Sequence, residues 1–278
     1  MKIAYLGPEK SYTHRAARQF FPSGDLISVS PIRRVVNAVE TKQVDQGVIP
    51  FENFYNGEVR EALDSLTDDL QTRIIGETSI KIVHCLGALK NHTSIERILS
   101  KDQALEQCSK YIYLHYPDAV TMATASTSEA VKEIAENKLL QCAAIASKEA
   151  LLDYELEILA EDLCPNNKTR FAILGREPTN PTKDDKTFLA LHPIVNDKPG
   201  VLNDITSIFA SLNINLEFIQ SRPDGNKGYY FYIELDGHKQ DEKVVIAIQA
   251  LRVSLDPEKQ HPDAIKILGS YKNSHWKE

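Results

Sequence analysis

The chain has 278 residues, which suits about two domains. Hydrophobic residues make up 42% and charged residues 26%, a composition that excludes disordered, collagen-like and disulfide-stapled classes. The formal net charge of −7 excludes a broadly basic surface for nucleic acid, and no apolar run approaches the roughly 18 residues that a membrane span needs.

Taken in order, the first 180 residues alternate apolar runs with helical patterns. Strands are predicted over 2–6, 26–30 and 45–51, with helices over 13–21, 31–40 and 57–66 between and after them. Residues 73–89 form a long strand-rich stretch, able to carry the chain from one lobe to another. Then come 94–100, a helical stretch over 102–116, a strand over 119–124, a helix over 128–136, a strand over 142–146, a helix over 148–154 and a returning strand over 169–175. Such alternation predicts an α/β structure with mainly parallel sheets. The lobes run roughly over 1–76 with 165–180 and over 77–164, with a cleft between them.

Residues 176–186 hold two prolines between charged groups and read as a linker. Beyond it, strands over 186–194, 214–223, 227–235 and 263–271 and helices over 200–212 and 242–255 give the order βαββαβ, a ferredoxin-like unit over 186–278. The turn at 223–226 joins the two middle strands.

Cys85, Cys108, Cys142 and Cys164 form no CxxC pair and have no histidine at metal-ligand spacing. They read as reduced, buried thiols of a cytoplasmic protein. The phosphate-binding fingerprints GxGxxG and GxxxxGK[ST] are absent, so nucleotide binding is not expected.

Several strand-to-helix joints carry small polar residues: Ser11, Tyr12 and Thr13; Glu52, Asn53 and Asn56; Ser126 and Thr127; Ser147. In an open parallel sheet these joints lie where ligands bind, and helix N-terminal N–H groups there attract anions. Each hydroxyl is equally well read as a helix N-cap. His14 and His84 read as core or surface histidines. At 169–171, strand alternation puts Thr169 and Phe171 on one face and Arg170 on the other, where a guanidinium could take a carboxylate bidentately.

Thr169-Arg170-Phe171 resembles the TRF signature of prephenate dehydratases. Gly7-Pro8, Ser11-Tyr12 and Ala16-Ala17 are similar to that family's N-terminal segment, and Ile49 to Asn53 with Gly57 and Val59 to its VPxENSxxGxV segment. Gln103-Ala104-Leu105, Gln107-Cys108, Ser126-Thr127 and Ala143 to Ala146 continue the likeness. Pro199-Gly200-Val201-Leu202 and Ser221-Arg222-Pro223 resemble the two motifs of the family's regulatory ACT domain.

The resemblance implies a two-lobed, periplasmic-binding-protein-like catalytic domain over 1–180 and an ACT domain over 186–278. The implied reaction converts prephenate to phenylpyruvate with loss of water and carbon dioxide, without metal or organic cofactor. Thr169, Arg170 and Phe171 would be catalytic, Arg170 gripping a carboxylate. Ser11, Tyr12, Asn53, Ser126 and Thr127 would bind substrate. Residues Pro199, Gly200, Val201, Leu202, Ser221, Arg222 and Pro223 would bind L-phenylalanine in a homodimer or homotetramer. No chorismate mutase segment precedes the match, which implies a monofunctional enzyme. The departures are Lys10, Phe54 in place of a serine, Lys101-Asp102, and Gln220 in place of a glutamate; Tyr55 is a candidate to supply the lost hydroxyl. Phe54 motivates an arogenate or other cyclohexadienyl acid as alternative substrate. A carboxylate sensor without chemistry is the other alternative.

Overall fold

The computed structural model describes residues 1–9, 11–68, 71–193, 199–225, 228–256, 261 and 264–275. Lys10 and the ends of four expected segments (Ile194, Asn226, Lys227, Asp263) lie outside the described residues. The chain forms two compact units, residues 1–52, 58–80 and 170–278 in the first and residues 53–57 and 81–169 in the second.

The first unit begins β1 (Lys2–Leu6), α1 (Tyr12–Phe20), β2 (Asp25–Val29), α2 (Ile32–Glu40) and β3 (Gln46–Asn53). β1 lies parallel to β2 and to β3, as short strand–helix–strand crossovers require. β4 (Gly57–Glu58), α3 (Arg60–Thr67) and β5 (Arg73–Lys81) follow. Helix α2 shows why the pattern folds this way: Ile32, Val35, Val36 and Val39 recur at helical spacing and all are buried.

The second unit holds β6 (Cys85–Ala88), β7 (Arg97–Ser100), α4 (Asp102–Gln107), α5 (Ser109–His115), β8 (Val120–Ala123), α6 (Thr127–Asn137), β9 (Cys142–Ala146), α7 (Lys148–Asp153) and β10 (Glu157–Ala160). Its sheet runs β10-β6-β9-β7-β8. β9 sits in the middle, and all five of its small apolar residues are buried because both faces are covered. The single helix expected over 102–116 is two helices, broken at Cys108, where ψ turns to 3°. β10, which the sequence reading passed over, pairs antiparallel with β6.

The chain returns to the first unit through β11 (Lys168–Gly175), then β12 (Asp185–Leu191), α8 (Val201–Ser211), β13 (Leu216–Pro223), β14 (Tyr229–Asp236), α9 (Glu242–Leu255) and β15 (Ile265–Lys272). The last six elements are a βαββαβ module, with antiparallel pairs in the order β13-β14-β12-β15. Its outer face packs Leu189, Leu191, Ile233 and Leu235 under α8 and α9. Its inner face, one residue out of phase, carries Phe188, Ala190, Tyr232 and Tyr271.

That inner face joins the module to the rest of the first unit. β15 lies parallel to β5 through Gly269 and Ile74, so one sheet runs β13-β14-β12-β15-β5-β11-β3-β1-β2. A Cβ on Gly269 would stand 2.2 Å from the Ile74 carbonyl oxygen, so glycine is what permits the junction. Phe188 then meets Phe51 edge-on, ring centroids 5.2 Å apart, although β12 and β3 are four places apart in the sheet. Flat strands at that separation would lie about 19 Å apart, so the sheet coils back over a shared core.

Candidate active site

Asn53 ends β3 and is 5% exposed. Its Oδ1 accepts from the backbone N–H groups of Tyr55 and Asn56 at 3.0 and 3.1 Å, an Asx turn that fixes the side chain by local geometry. Its Nδ2 donates to the Thr169 hydroxyl oxygen at 2.9 Å, to Asn167 Oδ1 at 2.9 Å and to the Lys168 carbonyl at 3.2 Å. Phe54 N–H also donates to the Lys168 carbonyl, at 2.9 Å, which ties the two strand ends together.

Three side-chain amides close a ring. Asn53 donates to Asn167, Asn167 Nδ2 donates to Gln107 Oε1 at 2.9 Å, and Gln107 Nε2 donates back to Asn53 Oδ1 at 3.1 Å. Gln107 Nε2 also donates to Asn56 Oδ1. Because Gln107 Oε1 is an acceptor from Asn167, its 3.0 Å bond to His84 Nε2 assigns the hydrogen to that histidine nitrogen. Burial holds the His84 ring below its ordinary value, outweighing the pull of Gln107 in the other direction. The Nε2–H tautomer leaves Nδ1 a buried acceptor with no partner among the described residues. Asn167 Nδ2 further donates to Cys164 Sγ at 3.5 Å, and all four cysteines are free and buried.

Thr169 is therefore held by its oxygen. Its lone pair receives Asn53, and its own hydrogen has no protein acceptor among the described residues. The side chain is half-buried rather than enclosed. A hydroxyl fixed through its acceptor side, with its O–H uncommitted, is arranged to donate to a ligand oxygen.

Arg170 does something else. Its guanidinium is 1% exposed and lies over the Phe51 ring at 4.9 Å. Nη1 donates to Glu234 Oε1 and Oε2 at 2.7 and 2.9 Å and to Glu77 Oε2 at 3.0 Å, while Nη2 stands 3.0 Å from Glu52 Oε2. Burial alone would push the guanidinium down, but Glu234, Tyr271, Glu77 and Glu52 outweigh it and hold it well above its usual value. Burial likewise raises Glu234, and Arg170 and Lys186 reverse that to keep its carboxylate low. The expectation that Arg170 grips a ligand carboxylate is corrected: its charge is already met by protein carboxylates inside the core. Phe171 is corrected with it, since at 1% exposure its ring is core. Beyond Thr169 both faces of β11 are covered, so alternation does not leave one face for a ligand.

The remaining expected residues lie as follows. Ser11 caps α1, accepting from His14 N–H at 3.2 Å, and Arg15 stands over the Tyr12 ring at 5.4 Å. Ser126 caps α6, accepting from Glu129 N–H at 3.1 Å, and Thr127 opens that helix. Ser147 caps α7. Pro199 to Leu202 form the entry to α8, where Gly200 has φ of 89°, a conformation that favours glycine. Ser221, Arg222 and Pro223 end β13, and Arg222 is bound to α3 through Asp64 at 2.7 Å and the Arg60 carbonyl at 3.0 Å. Phe54 is 51% exposed. Tyr55 does not replace a lost donor, because its hydroxyl donates to the Pro165 carbonyl at 2.7 Å. Sequence reasoning missed Gln107, Asn167 and His84 as site residues; the signal present was the density of side-chain amides at 53, 56, 103, 107, 166 and 167.

The family model described as prephenate dehydratase matches residues 3–179, and the ACT domain model matches residues 193–253. A bifunctional chorismate mutase/prephenate dehydratase of Aquifex aeolicus is 35% identical, over 98% of this chain and 73% of its own. A prephenate dehydratase of Lactococcus lactis subsp. cremoris is 34% identical, over 90% of this chain and 92% of its own. A crystal structure of prephenate dehydratase from Arthrobacter aurescens in complex with L-Phe is 29% identical, covers 98% of this chain and 90% of its own, and superposes with a TM-score of 0.81.

Proposed function

Because the chain belongs to the prephenate dehydratase family, we propose that it converts prephenate to phenylpyruvate and that phenylalanine regulates it at the C-terminal module. The observation that supports this reading best is the Thr169 hydroxyl, anchored by Asn53 with its hydrogen uncommitted.

The reaction takes the prephenate dianion and one proton to the phenylpyruvate anion, carbon dioxide and water. The bond from the ring to its carboxylate breaks, its electron pair enters the ring, and the ring hydroxyl on the far carbon departs. Negative charge develops on that departing oxygen. A threonine hydroxyl is far too weak an acid to ionise near neutral pH, so Thr169 acts by donating a hydrogen bond that strengthens as charge builds. Asn53 Nδ2 supports it by stabilising the polarised Oγ1. The proton consumed overall comes from solvent. Buried neutral His84 holds the amide ring in one direction and is not the acid. With Arg170 enclosed, the substrate carboxylates fall to neutral donors, of which the second unit offers Ser126, Thr127 and the N-terminal N–H groups of α6.

In the module, the turn at Gly200 and the segment Ser221 to Pro223 take phenylalanine, between two copies of the chain in a dimer or tetramer. The protein acts in the cytoplasm; among the described residues no helix is long and apolar enough to cross a membrane. Phe54 favours one second reading, arogenate as substrate, because an exposed ring stands where the family segment carries a serine.

The test is turnover of prephenate by the purified protein, followed as phenylpyruvate absorbance in alkali, with arogenate in parallel. Turnover of prephenate is expected, and phenylalanine is expected to raise the melting temperature. Turnover of neither substrate would overturn the reading in favour of a carboxylate sensor, and arogenate alone would reassign the substrate.

A further inference from the structure

Arg170 and Glu52 are the chain neighbours of Thr169 and Asn53, on which the proposed chemistry turns. Both end in one buried cluster whose key carboxylate comes from the C-terminal module. Glu234 of β14 is 1% exposed and takes Arg170 Nη1 on both oxygens. Tyr271 of β15 donates to Glu234 Oε1 at 2.5 Å, and Lys186 of β12 stands 3.8 Å from Glu77 Oε1. Ser274 donates to that same Glu77 oxygen through its N–H at 2.7 Å and its hydroxyl at 2.8 Å. β14 also pairs with β13, where Ser221 faces Phe231 and Arg222 faces Tyr230. The strand whose Glu234 grips Arg170, β14, is thus hydrogen-bonded to the segment assigned above to phenylalanine.

Apolar groups of the same volume would fill this space at no loss of stability. What an ion cluster adds is direction, since a guanidinium with Nη1 between Glu234 and Glu77 and Nη2 beside Glu52 has one favoured orientation. A residue anchored in this way fixes its own backbone dihedrals, and so the bearing of the side chain one position earlier. We infer that Glu234 is the coupling residue between the regulatory module and the dehydratase site: a shift of β14 on effector binding reaches Thr169 through the Glu234–Arg170 contact. Small displacements suffice, because a misplacement of about 1 Å can cost roughly 10²-fold in rate. The inference rests on the dehydratase reading with phenylalanine as effector.

The test compares Glu234→Gln with wild type for prephenate turnover, inhibition by phenylalanine and phenylalanine binding by calorimetry. Gln keeps the shape and an acceptor for Arg170 but removes the charge. The expected result is binding within about twofold of wild type, with the half-inhibiting concentration raised by about tenfold or more or inhibition abolished. Tyr232→Phe, which removes a bond to Thr67 from the same face of β14, is expected to leave inhibition unchanged. An inhibition curve identical to wild type overturns the inference. So does loss of binding and inhibition together, which would make Glu234 part of the effector site's own structure. Wild-type turnover without any response to phenylalanine overturns it too, whereas absent wild-type turnover strikes the dehydratase reading instead. If Glu234→Gln does not fold, Tyr271→Phe removes only one bond to Glu234; a shift of about threefold is then expected, and none overturns the inference.

Discussion

Thr169 and Arg170 are adjacent in sequence and live in opposite electrostatic worlds. Around Thr169 the groups are neutral: three amides in a ring, a neutral imidazole and a hydroxyl. Around Arg170 they are fully charged, and almost no water reaches them. The neutral region leaves one hydrogen uncommitted and can act on a ligand. In the charged region Arg170 is committed to protein carboxylates and has no charge to offer a ligand. For a dianionic substrate this is the workable division, because neutral donors need not be stripped of counter-charges before binding.

The comparison breaks most severely at Arg170. Arg170→Met leaves Glu234 and Glu77 buried without their main counter-charge, and should cost about 3–5 kcal/mol of stability by urea denaturation. A loss under 1 kcal/mol, on the same order as a surface pair, would show the cluster to be wet.

Thr169→Ala should do the reverse. Asn53 Nδ2 keeps Asn167 and the Lys168 carbonyl as acceptors, so stability should change by less than about 1 kcal/mol while kcat falls roughly 10²–10³-fold. KM is expected to stay within about threefold if the hydroxyl acts only as charge develops. Turnover that survives within threefold of wild type would remove Thr169 from the mechanism.

Gln107→Leu tests the ring between these extremes. It orphans the His84 Nε2–H and leaves Asn167 Nδ2 only a sulfur acceptor, a cost of about 1–3 kcal/mol. Both stability and kcat should fall, unlike either neighbour's variant, and denaturation with turnover on one sample checks this.

The smallest effect is a pH dependence. Burial depresses the folded-state value of His84 below the 6.5 of an unperturbed histidine. Below that ordinary value the unfolded chain binds a proton that the folded chain does not, so stability falls as pH drops through and below about 6.5, by at most about 1.4 kcal/mol per pH unit. His84→Gln removes the titrating group, and its urea midpoint should vary less between about pH 7 and 5.5 than that of wild type.

Much of the fold was legible because its signals are local. Helical spacing of Ile32, Val35, Val36 and Val39, the all-apolar 142–146 and the apolar run over 188–191 each name an element without reference to the rest. Asn53 and Thr169 were legible through the motifs that carry them. The Arg170 cluster was not. Glu77, Glu234 and Lys186 look in sequence like ordinary exposed charges on alternating strands, and only the coiling of the sheet brings Glu234, 64 residues from Arg170, onto the guanidinium. The amide ring was hidden for a related reason: its partners are separated by 54, 60 and 114 residues, and amides carry no periodic signature.

A ring in which each amide gives to the next and takes from the last has a sense of circulation, and that sense makes it intolerant of a carboxylate in place of any one amide. Asn53→Asp would replace a donor with a carboxylate, setting oxygen against oxygen at Asn167, drawing the Thr169 hydrogen away from any ligand and adding a negative charge where a dianion must enter. A single oxygen in place of that nitrogen would thus silence the hydroxyl without touching it.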